Sequence, residues 1–415
     1  MNEKNYIRYR RIKAFGNKLC FYVCRVFPID KKLISVCTFE GKGGFGCNPK
    51  YVVMELHKRN PEYKFVWFVN KDIFDTKKFP DYIKKVPNTL WNRAYWLSRS
   101  KVWIDNYRKP LGTVKRKGQY YLNTWHGMIG FKTIGLWRGK AFSQMAYIVS
   151  KNDSDMVDCF LSDSKFCTDY FPKGLVYDGD FLEVGSPRCD VLLKERDEKK
   201  KEFYNIHALE ESAKCVMFAP TFREGSVNGK REIFSEIWTI DFKRLIQNLE
   251  TRFGGKWYLI LKLHPQLCQD KYVIENVNVI DVSEADDMYD ILAAMDVLIT
   301  DYSSCAMDAE VMHIPVFIYA DDIAQYKDAR GVFTWNITEK SRFNVKINRD
   351  IFPKLEAHLP FTIAKNNEEL EEDILNFDET MFEENLKTYE SGVKLVRNGM
   401  ASKKVADKIQ KYMEG

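Results

Sequence analysis

Two histidines follow strand-like segments, and both are of a type suited to acid–base chemistry. His126 comes after the segment 120–123, and Gly127 beside it allows a ligand to approach closely. Imidazole titrates near neutral pH and can take a proton from an attacking hydroxyl. His264 follows the segment 257–263, and the proline after it keeps it extended. Each histidine could instead close a turn or pack within its own domain.

A serine pair follows another strand-like segment. Ser303 and Ser304 come after Asp301 and precede a helical pattern that includes residues 307–312. Hydroxyls and unpaired backbone N–H groups at a helix N-terminus favour a negative ligand, and pyrophosphate is the natural candidate. Simple capping of the helix by a serine is the alternative.

Two arginines occupy similar positions. Arg188 lies in the sequence Gly-Ser-Pro-Arg-Cys-Asp at 185–190, and Arg223 ends the sequence Ala-Pro-Thr-Phe-Arg at 219–223. A guanidinium group suits phosphate oxygens. Single arginines are more often part of surface ion pairs, but the shared location just after a strand favours phosphate binding here.

These residues need a framework of alternating strands and helices. The strand-like segments fall into a first series at 33–39, 64–69, 101–104, 120–123, 159–162 and 182–184, and a second at 215–219, 257–263, 277–281, 297–300 and 316–318. Alternation of this kind predicts parallel sheets covered by helices on both faces. A highly charged stretch places the boundary between the two series within 194–212.

Length and composition agree with two domains. The chain has 415 residues, 45% of them hydrophobic, and a mean hydropathy of -0.39. It contains no apolar run long enough for a spanning helix or a secretory signal. Ten cysteines are scattered along the chain, which favours reduced thiols in a cytosol over a disulfide framework. No Asp-x-Asp pair follows a strand, so we expect no metal cofactor.

The first 32 residues are strongly basic. Among them, apolar residues recur at spacings of three and four, namely Ile12, Phe15, Leu19, Val23 and Val26. A basic helix with such a stripe can lie on an anionic membrane surface. The stripe could instead pack on the protein's own core, and nucleic-acid binding is disfavoured because no recognition motif is present.

Taken together, these motifs resemble those of the CDP-glycerol glycerophosphotransferases, the family that primes and polymerises teichoic acids and related capsule chains. The similarity runs from about Leu33 to Ile409. It includes Trp-His-Gly at 125–127, the two arginine motifs, Lys-Leu-His-Pro at 262–265, Thr-Asp-Tyr-Ser-Ser at 300–304 and Asn-Gly-Met-Ala-Ser-Lys at 398–403. Each motif is weak alone, but their number and order make the resemblance specific.

The resemblance implies an α/β protein of the GT-B class, with two Rossmann-like domains facing each other across a cleft, and the residues themselves predict a basic N-terminal helix. Together they predict a membrane-surface helix at 1–32, an acceptor-side domain at 33–200, a donor-binding domain at 201–384 and a helix packing across both at 385–415. The resemblance also implies a cytoplasmic, peripheral location at the cell membrane. The sequence leaves the oligomeric state of the protein open.

The resemblance also assigns roles to residues. His126 corresponds to a base or acceptor-site histidine, with Trp125 and Gly127 on the acceptor side, and His264 corresponds to a contact for the donor's diphosphate. Donor and phosphate contacts fall on Thr221, Arg223, Arg188, Lys262, Asp301, Ser303, Ser304 and Arg330. Two departures concern the acceptor side: Asn123 stands where the family usually has Gln, and Met128-Ile129 replace the usual Thr-Pro.

The predicted function is transfer of a polyol phosphate from CDP-glycerol or CDP-ribitol to a hydroxyl on a polyprenyl-diphosphate-linked glycan or growing chain, with release of CMP. Glycerol phosphate is the expected unit. One alternative is a GT-B glycosyltransferase that uses a CMP- or UDP-sugar for capsule synthesis. Another is a non-catalytic membrane adaptor.

Overall fold

A computed structural model gives the fold of the chain. It describes residues 2–221, 223–227, 230–234, 239–263, 274, 277–337, 342–343 and 345–415, with the backbone alone at 224–227, 230–234 and 329–330. The chain folds into two compact units. The first comprises Met1–Met128, Ile134–Asp190 and Val396–Gly415, and the second comprises Ile129–Thr133 and Val191–Leu395.

The first unit is built on a seven-stranded parallel sheet with the strand order β3-β2-β1-β4-β5-β6-β7. Its strands are β1 (Asp30–Cys37), β2 (Lys64–Val69), β3 (Ile83–Pro87), β4 (Ser100–Asp105), β5 (Tyr120–Asn123), β6 (Cys159–Ser162) and β7 (Asp180–Glu183). The order reverses between β1 and β4. Ligands of doubly wound folds bind beyond the carboxyl ends of the strands at this reversal.

Helix α1 (Glu3–Cys24) precedes the first strand. The helices between strands of the first unit are α2 (Cys47–Arg59), α3 (Leu90–Arg99), α4 (Gln144–Ser154) and α5 (Lys165–Leu175). The central strands are buried along nearly their whole length, as expected for a sheet covered on both faces. Among the described residues, no helix has the length and apolar character required to cross a membrane.

The second unit holds a six-stranded parallel sheet with the order β12-β11-β8-β13-β14-β15, together with a separate antiparallel pair formed by β9 and β10. The strands are β8 (Lys214–Ala219), β9 (Arg223–Val227), β10 (Lys230–Phe234), β11 (Trp257–Leu261), β12 (Val279–Asp281), β13 (Val297–Thr300), β14 (Val316–Tyr319) and β15 (Ile363–Ala364). The helices from this part of the chain are α6 (Asp190–Lys194), α7 (Arg196–Ile206), α8 (Phe242–Phe253), α9 (Met288–Leu292), α10 (Cys305–Ala309), α11 (Ile323–Arg330), α12 (Asn367–Leu375) and α13 (Glu379–Val393).

The C-terminal stretch forms two helices where the sequence predicted one. Helix α13 ends at Lys394, which has a left-handed backbone with φ of 52°, and α14 (Ala401–Glu414) follows. Helix α13 lies in the second unit and α14 in the first. The carboxylate of Asp190 accepts hydrogen bonds from the backbone N–H groups of Ala401 and Ser402 at 3.1 and 2.7 Å. The last residue of the Gly-Ser-Pro-Arg-Cys-Asp motif therefore caps the final helix.

The predicted α/β class with two parallel sheets is confirmed. The break between the units falls at Asp190, earlier than the 200/201 boundary expected from the sequence. Strand β3 was not predicted, because Lys84 and Lys85 interrupt its apolar pattern. An edge strand tolerates such residues, since one of its sides has no neighbouring strand.

Candidate functional site

The loop that carries His126 follows β5 at the carboxyl edge of the first sheet. Trp125 has a left-handed backbone with φ of 50°, which is unfavourable for a residue with a side chain. The side-chain amide of Asn48 donates to the carbonyl oxygens of both Thr124 and Trp125, each at 3.2 Å. Asn48 is fully buried, so these bonds satisfy carbonyls that water cannot reach.

Arg188 supports the same loop. Its Nη1 donates to the carbonyl oxygen of His126 at 2.6 Å and lies 3.4 Å from Sγ of Cys47, and its backbone N–H donates to Oδ1 of Asn48 at 3.1 Å. The residue is only 3% exposed. The phosphate contact expected at Arg188 stays a prediction, and the structure adds that its buried guanidinium holds the backbone of His126.

The imidazole of His126 is oriented by the loop that follows β4. Its Nδ1 lies 2.6 Å from the carbonyl oxygen of Asn106. A carbonyl can only accept, so Nδ1 carries the proton in the neutral ring and Nε2 is the nitrogen able to take one up. The rings of Phe39, Tyr107 and Trp125 surround the imidazole at centroid distances of 5.4, 5.1 and 4.7 Å.

This site lies at the reversal of strand order. The backbone N–H of Phe39, after β1, donates to Oδ1 of Asn106, after β4, at 2.8 Å. The two loops that flank the reversal are thus joined, and His126 packs on both. This is the position at which doubly wound sheets bind their ligands.

Arg108 is a site residue that the sequence analysis missed. Its guanidinium lies over the ring of Trp125 at 5.0 Å from the centroid. Burial lowers the pKa of Arg108, although Asp153 and Glu40 lie near enough to oppose that effect. Within the described part of the chain, Arg108 has no ion pair, and its buried Nη2 has no hydrogen-bond partner. His126 was selected as a polar residue just after a strand. The same criterion would have found Arg108, because it lies in the loop that follows β4.

A buried polar network lies beneath the loop. Oδ1 of Asp153 accepts from the backbone N–H of Lys109 at 2.9 Å and from the hydroxyl of Tyr121 at 3.1 Å. Asn123 donates to the Tyr121 hydroxyl oxygen at 3.3 Å and accepts from the backbone N–H of Trp125 at 2.9 Å. Asn123, which departs from the family's usual Gln, therefore connects this network to the histidine loop. Burial raises the pKa of Asp153 to about 7.

In the second unit, Arg223 is the centre of an ion cluster. Its Nη1 lies 2.7 Å from Oδ2 of Asp301, and its Nε lies 2.6 Å from Oδ2 of Asp322. Asp301 also accepts from the backbone N–H of Thr221 at 3.0 Å and from its hydroxyl at 2.9 Å. Burial by itself would lower the pKa of Arg223. The neighbouring carboxylates of Asp301 and Asp322 together have the larger opposite effect, so the pKa is raised overall. These aspartates occupy most of the N–H groups of Arg223.

The serine pair follows Asp301 and Tyr302 directly. Ser303 and Ser304 are partly buried, and Oγ of Ser303 accepts from the backbone N–H of Cys305 at 3.3 Å. A Cβ added to Gly130 would lie 3.4 Å from Cβ of Ser304. Gly130 belongs to the segment Ile129–Thr133, which joins the rest of the second unit through the hydrogen bond from the Thr334 N–H to the Phe131 carbonyl at 2.8 Å.

The ammonium group of Lys262 is held by backbone carbonyls of this unit. Its Nζ donates to the carbonyl oxygens of Ser283 and Ala285 at 2.9 and 2.8 Å. His264 lies outside the described residues, and so does the side chain of Arg330. No group of three or more potential metal ligands occurs among the residues that the structure describes.

Comparison with known proteins identifies the family. A family model described as CDP-Glycerol:Poly(glycerophosphate) glycerophosphotransferase matches residues 19–411. The chain belongs to this family. It is therefore a transferase of the glycerophosphotransferase family, and the resemblance inferred from its motifs is confirmed.

Individual glycerophosphotransferase relatives are distant in sequence. The chain is 25% identical to the teichoic acid poly(glycerol phosphate) polymerase of Bacillus spizizenii, over 99% of this chain and 100% of that protein. It is 27% identical to the teichoic acid poly(ribitol-phosphate) polymerase of the same organism, over 78% of this chain and 51% of that protein, so it spans about half of that relative. A structure of the wall teichoic acid polymerase TagF has a TM-score of 0.77 at 24% identity, covering 100% of this chain and 99% of that one, which confirms the fold class.

We predict that Asn48→Ala disables the histidine loop without removing any group that touches substrate. The change deletes four hydrogen bonds: those to the Thr124 and Trp125 carbonyls, and those from the Ser186 hydroxyl and the Arg188 N–H. The expected loss is about 3 kcal/mol in the free energy of unfolding of the first unit. Hydrogen exchange in β5 and α2 measures the stability, and a turnover assay measures the activity.

Asn92→Ala is the matched control for Asn48→Ala. The side chain of Asn92 donates one hydrogen bond, to the carbonyl of Pro87 at 2.8 Å, and takes no part in the histidine loop. We expect a loss of about 1 kcal/mol and normal turnover. Equal effects of the two substitutions on turnover would contradict the positioning role of Asn48.

We predict that Asp153 gives the first unit a stability that falls with pH. Its folded pKa of about 7 lies above the ordinary value, so the folded state keeps a proton that the unfolded state releases. Its contribution is therefore complete below about pH 4 and is lost as pH rises towards 7, at up to about 1.4 kcal/mol per pH unit. Asp153→Asn keeps the acceptor oxygen and should abolish this slope. Urea unfolding at several pH values tests the difference, and an unchanged slope in the variant would show that another group is responsible.

Proposed function

We propose that this protein transfers a polyol phosphate from a CDP-polyol to a hydroxyl group of a polyprenyl-diphosphate-linked acceptor and releases CMP. The observation that carries the proposal is the hydrogen bond between Nδ1 of His126 and the carbonyl oxygen of Asn106. Nδ1 lies 2.6 Å from this oxygen and donates its proton to it. Nε2 is then the ring nitrogen that can accept a proton from the attacking hydroxyl. Membership of the glycerophosphotransferase family supports polyol phosphate transfer as the reaction type.

In the proposed step, a hydroxyl oxygen of the acceptor attacks the β-phosphorus of the donor in line. A new oxygen–phosphorus bond forms, the bond to the oxygen of CMP breaks, and Nε2 of His126 takes the hydroxyl proton. Phosphoryl transfer requires little covalent chemistry from the protein, so positioning and charge neutralisation supply most of the rate. Arg108 supports this step because its guanidinium lies over Trp125, next to His126, without a carboxylate partner in the described structure.

The second unit is the proposed binding site for the donor. The hydroxyls of Ser303 and Ser304 and the first turn of α10 can accommodate diphosphate oxygens, while Arg223 fixes the loops around Asp301. The family's description, which names CDP-glycerol, supports a CDP-linked donor. Relatives that are poly(glycerol phosphate) and poly(ribitol-phosphate) polymerases support either polyol, and glycerol is the one proposed.

The decisive experiment identifies the donor. The purified protein is incubated with a synthetic polyprenyl-diphosphate-linked acceptor and, separately, with CDP-glycerol, CDP-ribitol, a CMP-sugar and a UDP-sugar, and the products are analysed by mass spectrometry. We expect addition of glycerol phosphate together with CMP, in EDTA as well as in magnesium, because no Asp-x-Asp pair follows a predicted strand in the sequence. Consumption of a sugar nucleotide alone would establish a glycosyltransferase, and acceptor binding without CMP release would establish an adaptor.

We predict that His126→Gln lowers turnover roughly 100-fold or more, as loss of a positioned general base typically does. The glutamine side chain fills similar space but cannot take up the proton. CMP release under saturating donor and acceptor measures the effect.

His207→Gln is the control for this change, because His207 packs against Phe203 in the second unit and has no place in the mechanism. It should turn over normally. Near-normal turnover of His126→Gln would remove the base assignment.

A peripheral position at an anionic membrane is also part of the proposal. The apolar stripe of Ile12, Phe15, Leu19, Val23 and Val26 is 52–78% exposed, so it does not pack on the protein's own core. Helix α1 instead buries Ile7, Ala14, Phe21 and Cys24. An exposed apolar stripe beside many basic side chains is typical of helices that lie in the membrane interface.

We predict that Phe15→Ser together with Leu19→Ser weakens binding to vesicles of anionic phospholipid. Both side chains are exposed, so the folded structure loses no core packing, whereas the bilayer contact loses two large apolar groups. Sedimentation with vesicles should show a drop of roughly tenfold or more in bound protein. Ile206→Ser, at an exposed apolar residue that ends α7, is the control and should bind as the unaltered protein does. Binding that survives the double change would place the membrane contact elsewhere.

A further inference from the structure

A groove runs along helix α1 on the first unit, with a cavity of about 370 Å³. One wall is the helix itself. The other is made by α3 and by the loop that follows β4. Its lining residues are Tyr6, Tyr9, Arg10, Lys13, Ala14, Asn17, Arg93, Pro110 and Leu111.

The groove carries positive charge that the protein does not neutralise. Arg10, Lys13 and Arg93 have no carboxylate within ion-pair distance among the residues that the structure describes. Arg10 donates to the hydroxyl of Tyr6 at 2.7 Å, and Arg93 donates to Oδ1 of Asn88 at 2.9 Å, both of which are neutral acceptors. Burial also lowers the pKa of Arg93, as expected for a cation held away from water without a counter-ion.

The groove and the exposed apolar stripe occupy different faces of α1. Groove residues recur at positions 6, 9, 10, 13 and 17, whereas the stripe uses 12, 15, 19 and 23. At 3.6 residues per turn, the mean directions of these two sets around the helix axis differ by more than a third of a turn. When the stripe rests on a bilayer, the groove therefore faces away from it. Lipid head groups are thus poor candidates for its occupant.

The groove is connected to the His126 site through one loop. Arg108, over Trp125, precedes Pro110 and Leu111, which line the groove. In the path that we infer below, a polymer whose end lies at His126 continues over this loop and along α1. Cationic side chains at Arg108, Arg93, Arg10 and Lys13 would follow its path.

We infer that this groove binds the phosphodiester backbone of the acceptor chain, at a subsite separate from the reacting hydroxyl. The inference rests on the proposed function, applied to an acceptor that already carries several polyol phosphate units, each with one negative charge. Arginine and lysine suit phosphate oxygens, and the hydroxyls of Tyr6 and Tyr9 add neutral hydrogen-bond donors. A longer acceptor thus gains affinity that an acceptor with a single unit lacks.

The test compares two double variants of α1 that remove the same charge. Arg10→Gln with Lys13→Gln alters the groove, and Arg8→Gln with Arg11→Gln alters exposed residues outside it. Binding of a fluorescent oligo(glycerol phosphate) without lipid is measured by anisotropy in the absence of donor. We expect the groove variant to bind roughly tenfold more weakly, because two phosphate contacts are lost, and the other variant to bind nearly normally.

A second arm measures binding to vesicles of anionic phospholipid. We expect the larger loss there for Arg8→Gln with Arg11→Gln, whose residues flank the apolar stripe. Thermal melting checks that both variants fold, since none of the four side chains is buried. Equal loss of oligomer binding in both variants, or no loss in either, overturns the inference. A groove variant that loses vesicle binding and keeps oligomer binding overturns it as well.

Failure of this inference is distinguishable from failure of the proposed function. Oligomer binding is measured without donor or turnover, so it does not depend on catalysis. Transfer to an acceptor carrying one glycerol phosphate measures the reaction itself and should be nearly equal in the two variants. Normal transfer with unaltered oligomer binding would leave the proposed function in place and remove the groove as a subsite.

Discussion

The loop that carries His126 depends on how the protein satisfies three carbonyl groups. A left-handed backbone at Trp125 turns the carbonyls around His126 towards the interior, where water cannot bind them. Asn48 supplies donors for two of these carbonyls, and Arg188 supplies the donor for the third. A buried carbonyl without a donor costs on the order of 1–3 kcal/mol, so this loop would not keep its shape without them. The imidazole orientation follows from that shape.

The two units use positive charge in different ways. In the second unit, Asp301 and Asp322 neutralise Arg223. In the first unit, Arg108 has no such partner in the described structure. A neutralised cation organises the loops around it, whereas one without a counter-ion attracts a phosphate. This difference explains why arginines that look alike in the sequence have different environments.

Much of the framework could be predicted from the sequence. Apolar runs located β2, β5, β6 and β13 at the residues where they occur, because buried parallel strands are continuously hydrophobic. The weaker elements were missed, such as the lysine-containing β3 and the two-residue β15. The break in the C-terminal stretch was also missed, since it depends on a left-handed residue at Lys394 and on a cap from the distant Asp190.

The candidate site was predicted in part. His126 was recognised for two reasons. Histidine is a residue type suited to proton transfer, and this one follows a strand, where ligands of α/β sheets bind. Asn48 was not recognised, because an asparagine near the start of a helix has no distinctive pattern, and its partners lie far away along the chain. The support that Arg188 gives to the His126 loop was also missed, because the sequence does not reveal which carbonyl a guanidinium contacts.

By itself, the sequence determined the family, the two parallel sheets and the residues at the strand ends, because these follow from local hydrophobic patterns and the order of short motifs. Only the tertiary structure decided which groups each of those residues contacts and how deeply it is buried. The physical reason is that burial and hydrogen-bond partners arise from segments far apart in the chain. Asn48, Arg188 and His126 come from three such segments, and their roles exist only where the fold brings them together.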